Sequence, residues 1–241
     1  MTQAPAIHVR GTHEVDGVRQ FGPLDVRMPA GKWTCILGRS GVGKSTLLRL
    51  IAGLTTAGEF DGHITTSDAG TLEGRVTVMA QSDLLLPWLS VLENTVLGAR
   101  LRGEDPDMKK AQGLLDRVGL SGHLDKRPNA LSGGMRQRTA LARTLMEDRP
   151  IALLDEPFSA LDASTRADMQ ELAAEVLAAK TVLLVTHDPA EAVRLGHQIT
   201  VLTPDAAQTW PTLHIPPIRD QYAPATVGCQ AGLLAHLREM R

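Results

Sequence analysis

Cysteine is nearly absent: Cys35 and Cys229 are the two in 241 residues. Two thiols make no disulfide framework, so the fold must be held by a hydrophobic core, and both read as ordinary reduced residues. Long apolar runs are missing as well, and no stretch approaches the roughly 18 consecutive apolar residues of a membrane span. Residues 1–8 show no basic segment followed by an apolar one, which reads as a chain that stays in the cytoplasm. Charge of one sign is not in excess. The 25 Lys and Arg against 27 Asp and Glu leave a net charge of −2 and a pI near 6.4, which argues against a protein that coats nucleic acid. The eight histidines show no metal-ligand spacing. What the chain does have is 43% apolar residues, enough for one globular domain with a full core.

The most informative stretch is Gly38-Arg39-Ser40-Gly41-Val42-Gly43-Lys44-Ser45-Thr46, which fits the phosphate-binding pattern G-x-x-x-x-G-K-[ST]. Glycines let the main chain fold around an anion with its N–H groups turned inward, and the helix that follows offers its positive N-terminal end. Lys44 would reach the β- and γ-phosphates, and the Ser45 hydroxyl would sit on Mg²⁺. The context agrees with the motif. Trp33 to Leu37 reads as a buried strand running into the loop, and Leu47, Leu50, Ile51 and Leu54 fall on one face of a following helix.

Alternating stretches at Ile7 to Arg10 and Leu24 to Met28 predict antiparallel strands before the loop. A strand follows at Val76 to Ala80. Met108, Ala111, Leu114, Leu115 and Val118 recur at helical spacing after Asp105-Pro106, with Gly119 as the stop. The second half alternates: helix from Ser132 to Glu147, strand Ile151 to Leu154, helix Ala163 to Ala179, strand Val182 to Thr186. That order predicts a parallel sheet covered by helices. Thr203 to Ala225, with five prolines, reads as an extended tail leading to a short helix near Leu233 to Met240.

Asp155 and Glu156 end an apolar strand. A carboxylate at the tip of a core strand suits the Mg²⁺ hydration shell, the role given to Asp155, and Glu156 beside it is placed to polarise an attacking water. Taken alone, two acids before Pro157 would equally suit a strand cap. Upstream, Leu131-Ser132-Gly133-Gly134 offers a second helix start with exposed N–H groups. A second anion-binding helix end suggests that two copies share the nucleotide, each phosphate loop facing the partner copy's Ser132 turn.

Together these residues resemble the ATPase subunit of ATP-binding-cassette (ABC) transporters, over roughly Ile7 to Leu202. The elements stand in that family's order: loop Gly38 to Ser45, Gln81 after a strand, signature Leu131 to Gly134, acids Asp155 and Glu156, Ser159-Ala160-Leu161-Asp162, and His187 after a strand. The resemblance implies an α/β fold of the P-loop NTPase type, with an N-terminal antiparallel β subdomain and a helical subdomain near residues 82–148. The ATPase domain would span 1–205 and the tail 206–241. It also implies ATP and Mg²⁺ as cofactors, with Gln81 sensing Mg²⁺ and water, Asp162 contacting the partner across a homodimer, and His187 contacting the γ-phosphate. Ser132, Gly133 and Gly134 would complete the partner's nucleotide site.

The family usually stacks adenine on an aromatic residue in the N-terminal strands. Counting back from the loop, that position falls near His13 to Val15, so His13 is the candidate platform, with Phe21 the other ring before Trp33. The apolar run Ser82 to Leu89 is long for a polar loop. Half of it reads as helical-domain core, and Leu86 and Trp88 as the border of a groove for a membrane partner. This stretch resembles importers of nitrate, sulfonates, taurine or pyrimidine precursors. The implied partners are transmembrane permease subunits and, indirectly, a substrate-binding protein, with the chain at the cytoplasmic face of the membrane and no nucleic acid bound. A soluble mechanical or regulatory cassette acting on nucleic acid or ribosomes is the first alternative, and a small-molecule kinase sharing the phosphate loop the second.

Overall fold

The computed structural model describes residues 4–240. In chain order the strands are β1 Ile7–Val15, β2 Val18–Met28, β3 Trp33–Gly38, β4 Glu59–Thr66, β5 Val76–Met79, β6 Ile151–Asp155, β7 Thr181–Val185, β8 Gln198–Leu202 and β9 Ala207–Trp210. The α-helices are α1 Lys44–Ile51, α2 Val91–Thr95, α3 Leu97–Leu101, α4 Met108–Arg117, α5 Gly133–Met146, α6 Ala163–Val176, α7 Pro189–Leu195 and α8 Pro224–Glu239. Two compact units result. One takes the described residues up to Val76, then Arg149–Asp155 and Ala178 onward, and the other takes Thr77–Asp148 and Glu156–Leu177.

The first unit holds both kinds of sheet. In the antiparallel sheet β2-β1-β4, Leu24, Val26 and Met28 of β2 are buried while Asp25 and Arg27 between them face water, the period-2 pattern of a half-buried strand. Its register sets Val9 opposite Val26 and Ile64. The larger sheet runs β5-β6-β7-β3-β8-β9, and the chain leaves the first unit within β5. β6 and β7 are buried at every residue, as parallel strands covered on both faces require. Cys35 of β3 is fully buried, and burial holds its thiol well above the ordinary thiol range.

The predicted tail differs from an extended segment. β9 pairs antiparallel with β8, and α8 starts at Pro224 and runs 16 residues, much longer than the short helix expected near Leu233. Arg219 explains how prolines and a helix are held together. It is almost fully buried, and its guanidinium donates to the carbonyls of Val193, Gly196, Leu213 and Ile215 at 2.6 to 3.1 Å, contacts a local hydrophobicity pattern does not register. The helix after the loop is also shorter than its periodicity suggested. α1 ends at Ile51, Leu48 joins Leu47 and Ile51 in the core, and Leu54 lies beyond the helix end and is exposed.

The second unit is helical. α2 opens with a capping box in which Ser90 accepts from Glu93 N–H and the Glu93 carboxylate accepts from Ser90 N–H, satisfying two end donors at once. Asp107 caps α4, whose buried face is Ala111, Leu114 and Leu115. Gly119 follows it with φ 69°, the left-handed conformation that ends a helix without a Cβ penalty.

Candidate functional site

In the first unit the phosphate loop hangs from β3 and opens α1. Gly41 and Gly43 have φ 83° and 99°, so the main chain reverses twice, which turns consecutive N–H groups toward one concavity. Lys44 is almost buried, and its Nζ donates to the carbonyls of Gly38 at 2.9 Å and Arg39 at 3.0 Å. The ammonium is thereby held over the loop. Ser45 and Thr46 form the next positions of α1. Asp155 is the last residue of β6, level with Val185 of β7, which is in turn level with Ile36 of β3. Asp155 and the loop therefore share the carboxyl edge of the parallel strands, with β7 between β6 and β3, the edge where α/β sheets bind ligands. His187 follows β7 at the same edge and is exposed. The turn that carries it is fixed by Thr186, whose Oγ1 donates to Glu191 Oε2 at 2.7 Å and accepts from Asp188 N–H at 3.0 Å.

The second unit carries the other candidate residues. Gln81 donates from Nε2 to Glu156 Oε2 at 3.4 Å, so these two stand together. Ser132 is the N-cap of α5 and accepts from Met135 N–H at 3.2 Å. Ser132 and Gly133 are exposed, and a Cβ on Gly133 would meet only the far end of Arg136, 3.9 Å away, which leaves this helix start open to approach. Asp162 caps α6 through a 3.1 Å bond from Thr165 N–H, and that bond holds its carboxyl below the ordinary carboxylate value.

Two expectations about the base change. His13 is 0% exposed and stacks on Phe21 with ring centroids 5.2 Å apart. Phe21 is itself fully buried and lies where a side chain on Gly43 would have to go. Both rings are thus committed to a layer beneath the phosphate loop, and neither offers a face to a base. Counting along the chain gave the positions of both rings, on β1 and β2, but not which face of the strands each occupies.

Within the second unit, three residues without an assigned role in the sequence hold the segments around Gln81 and Glu156. Gln137 of α5 donates from Nε2 to the carbonyl of Glu156 at 2.9 Å. Arg136 donates to Asp83 Oδ2 at 3.0 Å, and Arg143 to the carbonyls of Asp83 and Leu84 at 2.6 and 2.9 Å. The helix that begins at the signature thereby grips the segment just after Gln81. Polar residues spaced along one helix were the available signal, but the partners of the two arginines lie more than fifty residues upstream and that of Gln137 nineteen downstream. In that segment Leu85 is buried, while Leu84 and Trp88 are 62% and 64% exposed.

A glycine-rich loop opening a helix at the end of a central parallel strand, with a carboxylate closing a strand two places along, defines a P-loop nucleotide-binding ATPase. Comparison with known proteins is more specific. The ABC transporter family pattern matches residues 21–159. An uncharacterised ABC transporter ATP-binding protein of Haemophilus influenzae is 47% identical over 197 residues, 80% of each chain. The aliphatic sulfonates import ATP-binding protein SsuB 2 of Agrobacterium fabrum is 46% identical over 189 residues, 78% of this chain and 71% of that protein. Among solved structures, the dimeric post-hydrolysis state of the ATP-binding cassette MJ0796 bound to ADP and phosphate matches with a TM-score of 0.75 at 27% identity, over 86% of this chain and 100% of that one. The chain belongs to the ABC transporter family and is an ATP-hydrolysing, nucleotide-binding subunit of it.

Proposed function

We propose that this subunit works as an ATP-dependent homodimer that drives import through transmembrane permease subunits, the cargo being a sulfonate or a similar small anion delivered by a substrate-binding protein. The dimer follows from the two anion-binding helix ends, and the cargo class from relatives named as aliphatic sulfonate importers. Its place is the cytoplasmic face of the membrane, held there by the permease. Among the described residues no helix is long and apolar enough to cross a membrane.

Within the site, backbone N–H groups of residues 38–46 and the Lys44 ammonium bind the phosphates. Ser45 and Asp155 supply hard oxygen donors of the kind Mg²⁺ accepts, and Gln81 adds an amide oxygen. Mg²⁺ keeps several waters and would be held mainly through these and the nucleotide phosphates. When bound, Mg²⁺ neutralises phosphate charge. Glu156 orients and polarises the attacking water, Gln81 fixes the position of the Glu156 carboxylate, and His187 contacts the γ-phosphate. Ser132, Gly133 and Gly134 face the nucleotide of the partner copy, and Asp162 lies at the same interface.

The observation that carries the transport reading is the segment after Gln81. It presents Leu84 and Trp88 to solvent while Arg136 and Arg143 of the signature helix hold its backbone and Asp83. A partner seated on Trp88 would feel a movement of α5. The test is to purify the tagged chain from membranes and assay it with Mg-ATP. Transmembrane proteins should co-purify and phosphate should appear in solution. Transfer of the phosphoryl group to a small molecule, without phosphate release, would identify a kinase instead.

A further inference from the structure

Helix α7 stands between the tail and the turn that carries His187, and within the first unit it is gripped at both ends. At its start, Asp188 caps the helix by accepting from Ala190 N–H at 2.8 Å, and Glu191 reaches back to the buried hydroxyl of Thr186 at 2.7 Å. Thr186 N–H in turn donates to the carbonyl of Ile36 on β3 at 3.1 Å. At its end, one nitrogen of Arg219 donates to the carbonyls of Val193 and Gly196 at 2.6 and 2.8 Å, and the Arg219 backbone N–H donates to the carbonyl of Arg194 at 3.1 Å. The rest of the guanidinium holds Leu213 and Ile215 of the tail. We propose that Arg219 is a positioning residue for ATP hydrolysis: by fixing the end of α7 it sets where His187 stands against the phosphate loop. The inference rests on the reading of His187 as the group that contacts the γ-phosphate, and it gives the C-terminal tail a part in turnover.

Three observations carry it. First, α7 has seven residues, and Glu191 to Leu195 are all buried. So short a helix has little stability of its own and takes its position from its neighbours. In a close-packed interior a shift at one end is felt at the other. Second, the end that Arg219 holds is registered on the strand that bears the phosphate loop. His197 N–H donates to the carbonyl of Trp33 at 2.9 Å, Trp33 N–H donates to His197 Nδ1 at 3.1 Å, and a Cβ on Gly196 would stand 3.0 Å from the Cys35 sulfur. β3 ends at Gly38, so the His187 turn and the loop are referenced to one strand. Third, Arg219 is 4% exposed, and burying a cation is unfavourable unless its donors are satisfied. An aliphatic side chain would fill the place without that cost. What arginine adds is a rigid plane of donors that spans four carbonyls, with positive charge at the negative end of a helix.

The experiment is a double-mutant cycle read by phosphate release from radiolabelled Mg-ATP, on the full chain as wild type, Arg219→Lys, His187→Ala and the pair. Lysine keeps the charge but cannot span four carbonyls. Arg219→Lys should lower kcat about three- to tenfold with KM for ATP within about twofold, and in the His187→Ala background the same substitution should change kcat by less than about twofold. Thr186→Val, which cuts the link between α7 and the His187 turn, should behave as Arg219→Lys does in both backgrounds, and it decides the matter where urea unfolding shows that Arg219→Lys has lost its fold. An unchanged kcat, a rise in KM alone, or an equal loss with and without His187 would each overturn the proposal, the last because it would make Arg219 a support of the fold alone. Normal turnover in His187→Ala would instead remove the reading of His187 on which the proposal rests.

Discussion

Gln137 and Glu156 are joined by a 2.9 Å hydrogen bond from the side-chain amide of the first to the backbone carbonyl of the second. The same carbonyl accepts from Ser159 N–H at 3.3 Å and from Ser159 Oγ at 3.0 Å. Glu156 needs this support because it has φ 49°, a left-handed conformation that costs a residue with a Cβ about 1 kcal/mol or more. The signature helix thus helps to set the direction in which the Glu156 carboxylate points. The Gln137→Ala variant should lower kcat about three- to tenfold with KM for ATP unchanged, as expected when one hydrogen bond worth about 1 kcal/mol is removed from a positioning residue. Steady-state phosphate release checks the split, and a rise in KM alone would count against it.

Glu156→Gln keeps the shape of the side chain and removes its basicity. Turnover should fall by about 10²-fold or more while Mg-ATP still binds, the size expected for loss of general-base assistance, and the protein should accumulate as an ATP-bound dimer. Phosphate release and sedimentation measured together provide the check. Near-normal release would show that another group activates the water.

Ser132→Arg places a long cation on an exposed helix start. Monomer affinity for the nucleotide should stay within about twofold, because Ser132 lies outside the phosphate loop, and Mg-ATP should no longer promote dimerisation. Sedimentation velocity with and without Mg-ATP reads this directly. A dimer that still forms would mean that the partner copy does not use this turn.

Trp88→Ala tests the membrane contact. With Trp88 64% exposed, the stability of the isolated subunit should change by no more than about 0.5 kcal/mol, the usual range for surface positions. Assembly with the permease should weaken by about 2 kcal/mol or more if Trp88 is an interface anchor. Leu86→Asp, at a half-buried position, should do the same at some cost in stability. Urea unfolding and co-purification separate the two effects, and a Trp88→Ala protein that unfolds would make Trp88 a core residue.

Much of this molecule was legible in its sequence because the relevant interactions are local. The phosphate loop requires glycines at Gly41 and Gly43 with positive φ, and a lysine and hydroxyls at the first turn of α1. Those demands are met by neighbouring residues. Caps behave in the same way, as Ser132 and Asp162 each bond an N–H three residues ahead. The central strands announced themselves through continuous apolar runs, since parallel strands are buried on both faces.

Tertiary structure decided what depends on which face a residue turns and on who meets it from a distance. His13 and Phe21 looked available to a base until folding stacked one on the other beneath Gly43. Gln137 had no visible role until Glu156, nineteen residues later in the chain, brought it a carbonyl. The tail appeared extended because its prolines dominate the local pattern, whereas Arg219 ties two carbonyls of the tail to those of Val193 and Gly196, more than twenty residues away, and α8 reaches a cleft beside the phosphate loop through Leu237 and Met240. Local propensity is written residue by residue, but a long-range contact exists only once the loops between its partners have closed, and that closure is a property of the whole fold.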